Sequence, residues 1–219
     1  FMSPPTWIGL SLATGDDRYM EYGDKEFWAT TDYLLDPEYN LFFRDSRFFT
    51  RQDDEGNKVF WARGNGWVYA GLVNILRILP KDHPSYPRYM KLYKDMSVTI
   101  ADIQHDNGLW RVSLLAKEKY TSPETSGSSF LMYGLAWGLN HGHLDAATYE
   151  PVVRKGWQAL VEAVADDGLV EAFRVDDVPG FALAVQWHPE WKAMENELSQ
   201  AIFKAFGDAC RARAKQRQV

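Results

Sequence analysis

The chain has 219 residues, 46 % of them apolar and 25 % charged, which suits a folded globular protein and excludes disordered, collagenous and low-complexity chains. With 24 basic and 30 acidic residues the net charge is −6, which excludes charge-driven nucleic-acid binding. No apolar run approaches the roughly 20 residues of a membrane span. A single cysteine, Cys210, excludes an internal disulfide framework and a cysteine-based zinc site. The aromatic content is high, with 9 Trp, 11 Tyr and 12 Phe. Aromatic rings stack on the C–H faces of sugars, and they also fill cores; composition leaves both uses open.

Phe1-Met2-Ser3-Pro4-Pro5 has neither the basic start nor the apolar run of a signal peptide, which says nothing about a longer parent; the expected location is cytoplasmic. The chain opens on Phe1 rather than Met, so a longer parent is expected too. Residues 1–167 read as helices joined by aromatic and Gly/Pro loops. Pro5 to Thr14 is a short helix closed by Gly15, and Asp24 to Leu35 is a second, stopped by Asp36-Pro37. Gly66 to Leu79 carries Trp67, Ala70, Leu72, Val73, Leu76 and Leu79 at helical spacing and ends at Pro80. Tyr86 to Gln104 follows, with Tyr89, Leu92, Tyr93, Met96, Ile100 and Ile103 on one face. Ser126 to Asn140 has the glycines and aromatics of a tightly packed inner helix. Asp145 caps a helix to Val164 that carries Val152, Val153, Trp157, Leu160 and Val161. The loops Leu41–Arg51, Val59–Asn65 and Gly108–Gly127 hold most of the candidate chemistry.

Residues 168–219 change character. Leu169 to Val175 and Phe181 to Trp187 read as strands joined through a Pro179-Gly180 turn. Leu198 to about Ala214 reads as one amphipathic helix with Ile202, Phe203, Phe206 and Ala209 inward, and Cys210 half-buried on it. The tail holds 7 acidic and 7 basic residues against 23 and 17 in the front, so the acidity belongs to the front. A domain boundary is expected at Asp166-Asp167-Gly168. The expected fold is mainly α: a partial α/α toroid over 1–167, then a β-β-α piece over 168–219.

Phe60-Trp61-Ala62-Arg63-Gly64-Asn65-Gly66-Trp67 is the densest functional signal. A guanidinium clamps a carboxylate in a planar, bidentate way, and the Trp rings can wall a pyranose. Glycines let backbone approach a ligand, and a helix N-terminus favours an anion. The group suits an acidic sugar; a core turn with packed Trp rings and a surface Arg accounts for the same residues.

This motif, followed by Leu79-Pro80 and His83-Pro84, resembles the unsaturated glucuronyl and rhamnogalacturonyl hydrolases, glycoside hydrolase families 88 and 105. So do Phe1-Met2-Ser3-Pro4-Pro5, Leu41-Phe42-Phe43-Arg44-Asp45-Ser46-Arg47, Asp106-Asn107-Gly108-Leu109-Trp110-Arg111, Pro123-Glu124-Thr125-Ser126-Gly127-Ser128 and Tyr133-Gly134-Leu135-Ala136-Trp137-Gly138. The resemblance covers about residues 1–167. It implies an (α/α)6 toroid that removes a 4,5-unsaturated uronic acid by hydrating its vinyl ether, with an Asp as proton donor. It implies that Trp61, Arg63, Gly64 and Trp67 line the sugar site, with Arg44 where many members have a His. The partner implied is an acidic unsaturated oligosaccharide of the kind left by pectin or glycosaminoglycan lyases, in a bacterial setting.

The family's proton-donating Asp precedes the segment matching Phe1-Met2, so the chain is expected to be the C-terminal half of the toroid and weakly active or inactive. Asp45 is the nearest acid in a matching loop and the candidate substitute donor. Glu124 contacts ligand or caps the following helix. Uncovered helix faces of a half-toroid imply self-association. No cofactor, metal, membrane or nucleic-acid partner is expected.

His188-Pro189-Glu190 after an apolar strand is the basic half of a nucleophile–His–acid triad. The stretch from Phe181 to Trp191, with Ser199 to Phe206, resembles the C-terminal end of class I glutamine amidotransferase-like hydrolases, of the gamma-glutamyl-gamma-aminobutyrate hydrolase subgroup. That resemblance implies catalytic roles for His188 and Glu190 beside a Cys nucleophile on an upstream elbow. No Cys lies upstream of them. The alternatives to a glycoside hydrolase are therefore an amidohydrolase lacking its nucleophile, and a non-catalytic fused chain.

Overall fold

The computed structural model describes residues 2–116, 124–165, 172–174, 183–185 and 193–216. It divides into two compact units, Phe1–Asp166 and Asp167–Val219. Among the described residues the first unit holds six α-helices: α1 (Pro4–Thr14), α2 (Arg18–Leu34), α3 (Ala62–Ile78), α4 (Tyr86–Asp102), α5 (Thr125–Asn140) and α6 (Ala146–Ala165). They form three successive hairpins. α1, α3 and α5 lie side by side, with α2, α4 and α6 packed behind them.

Local chemistry sets the helix ends. Gly15 takes a left-handed φ of 72° and donates its N–H to the Ser11 carbonyl at 2.8 Å, closing α1. The Asp16 carboxylate then accepts from the Arg18 backbone N–H at 3.1 Å and from its guanidinium at 3.0 Å. That turn starts α2 at Arg18, six residues before the start expected at Asp24. α6 begins as expected, with Asp145 Oδ2 accepting from the Thr148 N–H at 2.9 Å.

The front is not purely helical. After α2 a short antiparallel pair forms between β1 (Leu35–Asp36) and β2 (Leu41–Phe42), with Leu35 opposite Phe42. Asp36 holds its turn by accepting from the N–H groups of Glu38 and Tyr39 at 3.0 and 3.1 Å. Lys58 ties the turn down, reaching Asp36 at 2.8 Å and Glu38 at 2.7 Å.

The core lies between α3, α4 and α5. Tyr69 of α3 stacks on Tyr93 of α4, with ring centres 5.1 Å apart and planes at 7°. Both rings are fully buried. The Tyr69 hydroxyl meets Ser97 Oγ at 2.5 Å, and the Tyr93 hydroxyl donates to the Gly134 carbonyl at 2.8 Å. A Cβ on Gly134 would fall 2.2 Å from the Tyr69 ring, so α5 approaches α3 this closely only with glycine there. Along the pair, Gly66 meets Phe130 and Tyr69 meets Gly134, so α3 and α5 run parallel and their N-termini share one end of the layer.

In the second unit β3 (Ala172–Arg174) pairs antiparallel with β4 (Leu183–Val185). A 3-10 turn at Ala193–Glu195 leads to α7 (Glu197–Gln216), whose N-terminus is capped by Asn196 accepting from the Ser199 N–H at 3.0 Å. The expected inward face of α7 is corrected in part. Ile202 and Ala209 are half-buried, but Phe203 and Phe206 are 44 % and 53 % exposed and Cys210 is exposed. Pro179-Gly180, His188 and Glu190 lie outside the described residues. No helix among the described residues is long and apolar enough to cross a membrane.

Candidate sugar-binding site

The candidate site forms where the N-termini of α3 and α5 meet the loop after β2. Trp61 has extended backbone, with φ −74° and ψ 121°, and stands just before α3. The segment 60–62 is held by residues 112–114: Ala62 N–H donates to the Val112 carbonyl and Leu114 N–H to the Phe60 carbonyl, each at 2.9 Å. Helix α3 therefore begins at Ala62. Arg63, Gly64 and Asn65 belong to its first turn and not to a Val59–Asn65 loop, as the glycines had implied.

The glycines serve packing. A Cβ on Gly64 would touch the Trp61 ring at 3.0 Å, so Gly64 lets the indole fold back over the helix start. Gly66 and Gly127 bring α3 and α5 together; a Cβ on Gly127 would sit 3.0 Å from the Ala62 carbonyl carbon. Asn65 is a role that the sequence reading missed. Its buried amide accepts from the Phe42 N–H at 2.7 Å and donates to the carbonyls of Phe42 at 3.0 Å and Trp61 at 3.1 Å. One side chain thus locks β2, and with it the Arg44 loop, onto α3.

Two guanidiniums flank Trp61. Arg44 lies 5.8 Å from the ring centre and Arg63 lies 5.5 Å away, both in cation–π range. Beside Trp61 opens a cavity of about 330 Å³, walled by Arg44, Phe48, Arg51, Val59 and Ser113 among others. Phe48, Arg51 and Ser113 were not foreseen; nothing in their spacing marks them. Trp67 stands one helical turn on, 38 % exposed, with its ring 4.3 Å from that of Phe130. Trp67, Arg63 and Gly64 do not line this cavity, whereas Trp61, Asp53 and Asp54 do.

Glu124 is buried and does two jobs. As N-cap of α5 its carboxylate accepts from the Gly127 N–H at 3.0 Å and from the Ser126 hydroxyl. Its other oxygen lies 3.6 Å from the Arg63 guanidinium. Burial pushes its pKa up, but the Ser126 and Gly127 hydrogen bonds and the Arg63 charge outweigh it and hold the carboxyl below its ordinary range. Asp45 is held at about 2, chiefly by the Arg47 guanidinium, which donates to it twice at 2.9 Å. Asp45 also caps the 3-10 turn Ser46–Phe48. Both carboxylates are therefore ionised at neutral pH. Among the described residues no group of three or more His, Cys, Asp or Glu could hold a metal ion.

The cavity can present Arg44, Arg51 and the Trp61 indole to a sugar, with Asp53 and Asp54 also on its wall, while Arg63 stands outside it, facing Glu124. Residues 1–181 match Glycosyl Hydrolase Family 88. The chain belongs to that family. An unsaturated 3S-rhamnoglycuronyl hydrolase of Alteromonas sp. (strain LOR) is 48 % identical over 170 residues, 78 % of this chain and 41 % of that protein. A solved glycosyl hydrolase family 88 structure from Bacteroides vulgatus is 29 % identical with a TM-score of 0.70, covering 84 % of this chain and 51 % of its own. The gamma-glutamyl-gamma-aminobutyrate hydrolase of Escherichia coli is 50 % identical over 58 residues, 26 % of this chain and 22 % of that protein. The chain spans less than half the length of the curated rhamnoglycuronyl hydrolases it matches. The fold is thus mainly helical, with neighbours of the six-hairpin glycosidase type.

Proposed function

We propose that the chain carries the uronate-recognising part of an unsaturated uronyl hydrolase site. Its ligand is an oligosaccharide ending in a 4,5-unsaturated uronic acid. Arg63 clamps the carboxylate, Trp61 offers its face to the sugar ring, Gly64 sets that indole, and Arg44 adds a second cation. Trp67 supports the site from behind through Phe130. The observation that carries this reading is the open cavity walled by Trp61 and Arg44, with Arg63 5.5 Å from the same indole, within a chain of family 88.

The reaction that goes with such a site is vinyl ether hydration. A proton adds to C4 and water adds to C5; the resulting hemiketal opens by breaking its bond to the ring oxygen, and the hemiacetal left at C1 collapses to an aldehyde, expelling the next sugar as an alcohol. That step needs an acid that still holds its proton near neutral pH. Asp45 and Glu124 are both held ionised, so neither is the donor. With Asp53 and Asp54 as the acids left on the cavity wall, we assign binding, with little or no turnover, to the 219-residue chain. A bacterial origin and a cytoplasmic location are part of this proposal.

The test pairs two readouts on an unsaturated uronyl disaccharide. Tryptophan fluorescence reports binding, and loss of the vinyl-carboxylate ultraviolet band reports turnover. Arg63→Ala should weaken binding by about 30-fold, corresponding to roughly 2 kcal/mol for a removed clamp. Unchanged affinity in Arg63→Ala would sink the proposed clamp, and turnover by the parent chain would overturn the assignment of binding alone.

The 58-residue match to a gamma-glutamyl-gamma-aminobutyrate hydrolase supports a second reading, in which the second unit is a piece of an amidohydrolase. His188 and Glu190 would be its base and acid. Its lone thiol, Cys210, stands exposed on α7 after both of them, not on an upstream elbow. Hydrolysis of gamma-glutamyl-gamma-aminobutyrate by the chain, abolished in His188→Ala, would establish this reading; no hydrolysis would leave it as a remnant.

A further inference from the structure

Residues 111–116 brace the sugar site. Val112 and Leu114 hold Phe60–Ala62 by two backbone hydrogen bonds of 2.9 Å, Trp61 pairs with Ser113, and Val112 and Ser113 wall the cavity. The segment starts from an anchored point. Trp110 is fully buried, its indole N–H donating to the Ile100 carbonyl at 2.8 Å and its backbone N–H to Ser128 Oγ at 3.0 Å. Beyond Trp110, both ends of the segment meet one side chain, His105. The Arg111 guanidinium donates through Nε to His105 Nδ1 at 3.3 Å. The Ala116 carbonyl is a hydrogen-bond partner of the same ring.

The backbone that carries this ring is fixed. His105 follows α4 in a tight turn, its N–H donating to the Leu109 carbonyl at 3.2 Å and its carbonyl accepting from the Gly108 N–H at 2.8 Å. The ring can accept from Arg111 while Nδ1 carries no proton. Protonation sets a cation against a guanidinium, and repulsion replaces the hydrogen bond. Among the described residues, the other charges acting on the ring are those of Asp106 and of Lys155 on α6, which lie 4.0 Å apart and work in opposite senses. Asp102, at the end of α4, shares a cavity with the ring. Burial first, and the Arg111 charge second, hold the imidazole below its ordinary value of 6.5. The stabilisation given by the neutral ring is therefore complete above pH 6.5 and is lost as pH falls through the lower folded value.

We propose that His105 is a positioning residue of the sugar site, bracing residues 111–116 against Trp61 as a neutral imidazole and releasing the Arg111 end when it takes a proton. Sugar binding then weakens in acid although Arg44, Arg63 and Trp61 do not titrate in that range. The consequence for affinity rests on the sugar-site reading. The brace itself does not, so the two are measured separately.

Hydrogen exchange at the Ala62 and Leu114 amides of the full 219-residue chain reports the brace. It is followed from about pH 7.5 to about pH 4.5, either side of the ordinary imidazole range, and corrected for the intrinsic pH dependence of exchange. Tryptophan fluorescence with an unsaturated uronyl disaccharide reports affinity over the same series. In the parent, protection of both amides and affinity should each fall about 5-fold toward acid, the factor of one lost hydrogen bond. In His105→Asn, whose amide oxygen can accept from Arg111 and does not titrate, both should stay level and near the parent's neutral values. In His105→Phe the acid values should already hold at neutral pH. The parent's own profile needs no variant to fold, and circular dichroism verifies the two that are made. Protection that ignores pH, a fall that His105→Asn shares, or an affinity that ignores a change in protection would each overturn the proposal. A parent whose protection follows pH as expected, but which binds no disaccharide at neutral pH, would overturn the sugar-site reading instead and leave the brace established.

Discussion

Helices α3 and α7 look alike as sequence and end up differently. Both are long, and both carry apolar residues at helical spacing. α3 sinks Val68, Tyr69, Leu72, Val73, Ile75 and Leu76 into the core, each less than 5 % exposed. α7 leaves Leu198, Phe203 and Phe206 between 44 % and 59 % exposed. Among the described residues the two helices differ in their neighbours. α3 has α1, α4 and α5 around it, while α7 packs on the short turn before it. Periodicity decides that a segment is helical; a partner decides whether the apolar face is buried.

Two substitutions test the crowded side of this contrast. Gly134→Ala should be the most damaging. Its methyl group would lie 2.2 Å from the fully buried Tyr69 ring, which is stacked on Tyr93 and has nowhere to turn. Overpacking of this kind should cost about 3 kcal/mol, read as a lowered denaturant midpoint of the first unit. Asn65→Ala comes next. It removes three hydrogen bonds of a side chain that is 1 % exposed and should cost about 2–3 kcal/mol. It should also free the loop bearing Arg44, so sugar affinity should fall with stability. A stable Asn65→Ala variant with unchanged affinity would show that β2 is held by something else.

How much of this was legible in the sequence follows from the range of each interaction. The start of α4 and the end of α3 were readable, because Pro80 and Pro84 punctuate them locally, whereas α4 ends at Asp102, two residues before the expected Gln104. The start of α2 was missed because it depends on the Asp16–Arg18 turn, and because the apolar residues of its first turns are not on one face: Met20 is buried and Tyr22 is 51 % exposed. Arg63 to Asn65 read as loop because Gly64 and Gly66 look like turn residues. In the fold they are contact points, one for an indole and one for a neighbouring helix. The gathering of Trp61, Arg63 and Arg44 was foreseen from motifs. The Arg63–Glu124 pair was not, since nothing periodic links positions 61 residues apart in the chain.

A smaller effect comes from acid. The Glu124 carboxyl is held below its ordinary value of 4.5, so the folded state favours its charged form. Its contribution is therefore complete above pH 4.5 and is lost as pH falls through the lower folded value. Glu124→Gln should flatten the stability profile across that acid range. At neutral pH it should cost about 1 kcal/mol, as a weakened N-cap does. The comparison of the two profiles by thermal unfolding at several pH values checks this. A parallel shift without any change in slope would mean that another carboxyl governs the acid limb.

The smallest effect tests the open side. Gly207 sits within α7, and a Cβ there would meet only the flexible Arg211 guanidinium, at 3.4 Å. Alanine is the better helix former by about 0.5–1 kcal/mol, so Gly207→Ala should stabilise α7 by that amount. Hydrogen exchange along α7 measures it directly, apart from the first unit. The same chemical change would thus carry opposite signs at Gly134 and Gly207, because one glycine faces a tyrosine ring and the other faces solvent. A loss of protection at Gly207→Ala would mean that a close neighbour covers this stretch of α7, and the contrast with α3 would then be one of degree.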